Sequence, residues 1–322
     1  MRIRRGDAGE RTMNDRLKKA VTTTALVGGG FALWTALAAS ASEALVPADG
    51  DFVDVPGGRL HYVDTGGNGP VMVMLHGLYG QLRNFSYALT AELADHRLIL
   101  VDRPGWGHSS VDGGQPPIEE QARMVADLID ALGLDRPLLV GHSMGGAVAL
   151  AFALNHPGKV RGIALIAPLT QPMDHIPPIF RGKAPPAPLR GLAAWTVGVP
   201  LTTLTGPAVA RHVFAPDAVP MDFGTRGGGL VALRPSSFQA GAFEIDDANR
   251  AVSGMAARYG SIGLPVAILY GRDDHLLDPQ HQGDRTAAMI PGATLTNIAG
   301  GHMIPVTHAR ETADWLRTAA TA

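Results

Sequence analysis

Short, fully apolar runs alternating with amphipathic helical stretches predict an α/β chain with a mostly parallel central sheet and helices on both faces. Two pairs carry the prediction: Leu98 to Val101 followed by Ile118 to Leu132, and Pro137 to Val140 followed by Ala147 to Leu154. A third observation is where this rhythm stops. Between residues 171 and 258 nothing reads as a sheet, and the first half is rich in proline and glycine, so an inserted, mainly helical cap is expected there. With 322 residues, 46% of them hydrophobic and 17% charged, the chain can form one large core plus such an insertion.

Taken in order, residues 1–42 form a segment of their own. Arg16, Lys18 and Lys19 precede about twenty uncharged residues from Ala20 to Ala39, long enough to span a bilayer. The basic flank then predicts an N-terminus held inside and a translocated domain. Ala39-Ser40-Ala41 also fits a small-residue cleavage site, so a membrane anchor and a cleaved signal peptide both stand, the length of the apolar stretch favouring the anchor. A buried core helix is the third reading, and Met13 competes with Met1 as the start. Residues 43–170 are the first part of the core. In it Ile118, Val125, Leu128, Ile129 and Leu132 share one helical face, as core packing requires. Residues 171–258 are the cap. Pro177-Pro178, Pro185-Pro186 and Pro188 interrupt any long helix, whereas Asp246 to Ala257 has helical character. Pro172, Met173, Ile179, Phe180, Trp195, Phe214, Phe223 and Phe238 are candidate pocket or lid residues, with packing of the cap itself the simpler role for each. Residues 259–322 complete the core, with strands at Val266 to Tyr270 and Ala293 to Ile298.

The chemistry concentrates at Gly141-His142-Ser143-Met144-Gly145, set between an apolar strand and an alanine-rich helix. A strand that turns abruptly into a helix holds the turn residue in strained backbone angles and needs small neighbours. Gly141, Gly145 and Gly146 supply them, leaving the Ser143 hydroxyl projecting beyond the sheet. Helix amides that begin at Met144 aim unsatisfied N–H groups at the same spot. A serine hydroxyl is a weak nucleophile at neutral pH, so it needs a histidine base and a carboxylate to orient that base. Gly271-Arg272-Asp273-Asp274 follows one predicted strand and Gly300-Gly301-His302 another, both at the sheet edge that carries Ser143 if the strands are parallel.

These motifs, with Leu75-His76-Gly77-Leu78 and Asp102-Arg103-Pro104-Gly105-Trp106-Gly107-His108-Ser109, resemble those of the α/β-hydrolase superfamily in their chain order. The resemblance runs from about Phe52 to Leu316 and is weakest between about Gln171 and Arg258. It implies Ser143, Asp274 and His302 as catalytic residues, with Asp274 chosen over Asp273 and Asp278 by the family's Gly-x-x-Asp spacing. It also implies the Leu78 and Met144 amides as the oxyanion hole, and structural or pocket-lining parts for His76 and His142. His275, His281 and His308 are rivals of His302 whose simpler reading is a solvated or locally bonded ring.

The implied activity is a serine hydrolase that cleaves a carboxylic ester of a small or medium apolar substrate through an acyl-enzyme. Carbon–carbon bond hydrolysis, lactone opening and perhydrolysis use the same three residues, and a noncatalytic small-ligand receptor is the alternative of another class. Epoxide hydrolase and haloalkane dehalogenase relatives carry aspartate where Ser143 stands. No cofactor or metal is expected: no His-x-x-x-His helix with a glutamate, no cysteine and no phosphate-binding glycine loop occurs in the sequence. Beyond residue 42 the chain holds 20 basic against 26 acidic residues, which sets nucleic acid aside as a partner. A small-molecule ester and, through residues 1–42 when uncleaved, the membrane remain as the expected partners.

Overall fold

The computed structural model describes residues 7–173 and 185–321. Among the described residues nine strands form one sheet: β1 (Asp51–Val55), β2 (Gly58–Asp64), β3 (Val71–Leu75), β4 (Arg97–Val101), β5 (Ser110–Val111), β6 (Leu138–His142), β7 (Gly162–Ile166), β8 (Val266–Gly271) and β9 (Thr294–Ile298). Their order is β1-β2-β4-β3-β6-β7-β8-β9, with β5 paired to β2. From β4 to β9 every neighbouring pair is parallel, and β1, β2 and β5 close one edge antiparallel. The chain leaves β3 on one side to form β4 and returns on the other to form β6. At such a reversal the carboxyl ends of the strands border an open crevice.

The pleat divides the core. From β3, Val73 and Leu75 face one side with Ile99, Val101 and Leu139, while Met72 and Met74 face the other with Leu98, Leu100 and Val140. The first side is covered by α2 (Ile118–Ala131) and α3 (Met144–Asn155). The five positions expected to share a face of α2 divide accordingly: Ile118, Val125, Leu128 and Ile129 are buried, and Leu132, just past the helix end, packs against them. Each fully buried Leu or Ile contributes roughly 1.5–3 kcal/mol. The second side is covered by Leu82, Phe85, Leu89 and Leu93 and by the C-terminal helix Ala309–Thr321 through Ala313 and Leu316.

Between β7 and β8 the described residues form two long helices, α4 (Ala187–Phe214) and α5 (Pro235–Ala256). Both exceed what proline and glycine content suggests. Pro235 starts α5 eleven residues before Asp246, because a first-turn proline loses no intrahelical bond. In α4 a π turn at Ala194–Gly198 accommodates Pro200, and Pro207 sits inside the helix. Of the candidate lid residues, Phe214 is buried against Met303 and Phe223, Phe238 fills the space beside Gly198, and Trp195 is exposed. Pro172 gives its carbonyl to His281, and Met173 pairs through both backbone polar groups with Asn249 of α5. Ile179 and Phe180, with Pro177-Pro178, lie outside the described residues. The N-terminal segment is one helix, α1 (Asp7–Leu45), whose later half packs along α4.

Candidate active site

Ser143 stands one residue beyond β6, with its N–H donating to Ile166 O at 3.0 Å as if the β6–β7 ladder continued. Its backbone is left-handed, φ 54° and ψ −119°, a conformation that costs on the order of 1–3 kcal/mol for a residue with a Cβ and that lifts the hydroxyl off the sheet. The turn closes only if its neighbours are small. A Cβ on Gly145 would collide with the carbonyl oxygen of Leu75 at the end of β3, so glycine there is a packing requirement.

At the ends of β8 and β9 the two other predicted residues meet. His302 Nδ1 donates to Asp274 Oδ2 at 2.8 Å, both residues being buried. Asp274 is itself aimed: its Oδ1 accepts the N–H groups of Leu276 and Leu277 at 2.8 and 2.9 Å, leaving Oδ2 for the imidazole. The loop carrying His302 depends on Gly300, whose φ of +106° is costly for an L side chain, while Gly301 presses against the backbone of Ala215 at the end of α4. With Nδ1 held by the aspartate, Nε2 is the nitrogen free for proton transfer. His142, beside Ser143, ties strand to loop by donating from Nε2 to the His302 carbonyl at 3.0 Å.

The rivals are placed elsewhere. Asp273 and His275 are exposed, and Asp278 accepts the Gln280 N–H at the start of the next helical turn. His281 donates to the Pro172 carbonyl, and His308 lies against Thr307 and Asp217.

Gly77 brings the His-Gly turn against Ser143: a Cβ there would lie 2.9 Å from Ser143 Cβ and 3.3 Å from its Oγ. Leu78 follows directly. Among the described residues its N–H meets no protein acceptor, and Met144, as the first residue of α3, has an N–H with no partner inside the helix. Among the described residues both N–H groups are thus left without a backbone partner. His76 and His142 are held neutral: burial first, with Arg103 nearby, lowers His76 to about 4, and burial, then the neighbouring His302, lowers His142 to about 3. His76 donates from Nδ1 to Gly77 O and accepts the Arg103 N–H at Nε2, a structural use of both nitrogens.

One part of the site has no local sequence signal. Arg103 is fully buried and spends its guanidinium on the His76 and Gly77 carbonyls, on Gln121 and on both carboxylate oxygens of Glu244 in α5. Glu244 also accepts from Trp106, Gln115 and Gln121. Burial pushes its carboxyl up, but Arg103 and these donors outweigh that and hold it below the usual range. The cap is therefore pinned by a buried ion pair to the turn that presents Leu78. Glu244 is 141 residues from Arg103, and no spacing rule connects them. Beside this cluster Tyr79 stacks edge-on to Trp106, and burial, then Glu244, raises its hydroxyl to about 12.

The Asp102 motif is structural. Asp102 accepts the N–H groups of Leu82 and His108 and the Nδ1 proton of His61, all at 2.8 Å, and Ser109 Oγ donates to its carbonyl.

A family profile described as alpha/beta hydrolase fold matches residues 70–309. A 2-hydroxy-6-oxononadienedioate/2-hydroxy-6-oxononatrienedioate hydrolase from Burkholderia vietnamiensis is 31% identical over 78% of this chain and 87% of its own. A dihydrolipoyllysine-residue acetyltransferase component of an acetoin cleaving system from Cupriavidus necator is 31% identical over 48% of this chain, which spans only 41% of that protein's length. Among solved structures, a membrane phospholipase A described as a bacterial virulence factor superposes with a TM-score of 0.66 at 21% identity, over 96% of this chain and 97% of its own.

Proposed function

The chain belongs to the alpha/beta hydrolase fold family, and from that premise we propose that it hydrolyses carboxylic esters of small or medium apolar character through an acyl-enzyme on Ser143. His302 takes the Ser143 proton through Nε2, Oγ attacks the carbonyl, and the Leu78 and Met144 amides receive the developing oxyanion. Each such donor is worth about 3 kcal/mol of barrier. The imidazolium returns its proton to the departing alcohol, and water activated by the same ring releases the acid. Asp274 fixes the tautomer. The observation that carries this reading is the 2.8 Å bond from His302 Nδ1 to a carboxylate already oriented by two backbone amides, on the loop tied to the Ser143 strand.

A second reading rests on the Burkholderia relative, whose name is that of a hydrolase acting on an oxo-dienedioate, so carbon–carbon bond hydrolysis belongs in the same test. Lactones join it as further acyl donors, and phospholipids join it because a membrane phospholipase A shares the fold. Turnover of the purified full chain on esters graded by acyl length, against lactones, phospholipids and vinylogous diketo acids, is expected to be highest on esters and to vanish in Ser143→Ala. Equal ester turnover by Ser143→Ala would end the proposal, and preference for the diketo acid would transfer it to the second reading.

We further infer that α1 anchors this domain to a membrane. Supporting this are its uncharged run, the basic residues before it, and its packing along α4, while the chain just beyond it is tied to the domain. His108 donates to Val46 O, and Arg83 reaches Pro47 O and Asp49. Cleavage near Ser42 would remove a helix packed on the cap.

A further inference from the structure

The uncharged length of α1 free of the domain is too short to cross a bilayer. From Asp15 to Val27 every residue is exposed. From Gly28 onward a seam of less exposed residues, Gly28, Ala32, Thr35, Ala39 and Ser42, turns toward the protein at helical spacing. Between Lys19 and that seam lie only Ala20 to Val27, eight residues, or about 12 Å of helix at 1.5 Å per residue. A hydrocarbon core of about 30 Å needs some 20 residues, so with Lys19 at the inner boundary the outer boundary falls near Ser40. The next charge, Glu43, lies 4.0 Å from Arg234 just beyond it. The half of α1 that packs on α4 is thus at membrane depth, and α4 must share that depth.

The composition and bonding of α4 agree. Gly191 to Ala210 is a run of 20 residues without a charge, closed at one end by Arg190, which pairs with Asp246, and at the other by Arg211. Its outward face is apolar: Leu192 is 66% exposed, Leu201 56% and Leu204 71%, with Trp195 and Val197 beside them. On a water-facing helix this is a liability; in lipid it is the required surface. Its threonines bond inward as lipid demands. Thr196, Thr202, Thr203 and Thr205 each donate to the carbonyl four residues earlier, at 2.8 to 2.9 Å, so no hydroxyl is left seeking water. The far end of α4 reaches the site: Phe214 packs on Met303, next to His302, and Ala215 abuts Gly301.

We propose that α4 and the outer half of α1 form one apolar surface seated in the bilayer, and that the ester substrate is amphiphilic and enters from the lipid phase. This rests on α1 being an anchor. The chain has no cysteine, so single-cysteine variants can be labelled cleanly with an environment-sensitive fluorophore and the full chain reconstituted in phosphatidylcholine vesicles carrying doxyl-quencher lipids. Labels at Leu192→Cys, Leu201→Cys and Leu204→Cys are expected to be quenched as strongly as one at Phe31→Cys in α1, and several-fold more than one at Thr318→Cys on the C-terminal helix. Quenching at Phe31→Cys with cap labels behaving like Thr318→Cys would leave the anchor standing and overturn this inference; no quenching at either would overturn both. Cap labels shielded in detergent as protein concentration rises, yet unquenched in vesicles, would give the face to a second copy of the chain and also overturn it. In activity, Leu201→Asp and Leu204→Asp are expected to keep turnover of a short water-soluble ester and to lose at least tenfold on a long-chain ester presented in vesicles. Equal activity on both would count against delivery from lipid.

Discussion

At Ser143 the strained turn, the glycines around it and the polar partners beyond it form one device, and each part can be removed singly. Asp274→Asn keeps the shape but releases the imidazole tautomer, so kcat is expected to fall by about 10³–10⁴ with KM little changed. A loss under tenfold in steady-state ester kinetics would show that Asp274 does not orient the base. Gly145→Ala acts through packing: its Cβ meets the backbone of Leu75, which cannot retreat without opening the β3–β6 ladder. Thermal unfolding is expected to show a loss of more than ~2 kcal/mol, and native stability in that variant would refute the close approach. The turn at Ser143 was legible in the sequence because a strained strand-to-helix turn needs small residues at fixed offsets. The two amides that orient Asp274 were not, since any residue but proline supplies an N–H at positions 276 and 277.

Among the elements, α5 matters most to the site, because Glu244 is the cap's buried charge against Arg103. Removing one partner leaves the other ionised without compensation, so Glu244→Ala is expected to lose about 3–5 kcal/mol in urea unfolding of the full chain. Since Arg103 also holds the His76 and Gly77 carbonyls, ester kcat should fall in the milder Glu244→Gln even where it folds. A stable, fully active Glu244→Gln would show that the pair does not position the Leu78 turn. The core helices were readable from their 3.6-residue apolar period, as at Ile118 to Leu132, and the buried strands from their short apolar runs. In the cap only Asp246 to Ala257 was readable as helix. Pro200 and Pro207 argue against a helix by local rules, while packing against α1 and a π turn override them in α4, and the Arg103–Glu244 pair spans a separation that only the fold closes.

For the molecule as a whole, two buried neutral histidines set the acid limit. His76 and His142 have folded pKa values near 4 and 3, below the ordinary 6.5, so the unfolded chain binds more protons between those limits. Their contribution is complete above about pH 6.5 and is lost as pH falls toward 4, on the order of 2 kcal/mol each by pH 5. Unfolding midpoints taken from pH 7.5 to 5 should fall, and the slope should flatten in His76→Gln; a slope unchanged by that substitution would contradict the assignment. The order β3, β6, β7, β8, β9 brings residues far apart in sequence to one edge of the sheet, as the periodicity foretold, whereas the packing of α1 along α4 had no signal in the sequence. Covalent chemistry at Ser143 can be read from the intact mass of the protein after treatment with a fluorophosphonate. One adduct is expected, mapping to the peptide containing Ser143, absent in Ser143→Ala and strongly slowed in His302→Ala. Folded protein that takes up no adduct, or takes it equally well without Ser143, would contradict the account.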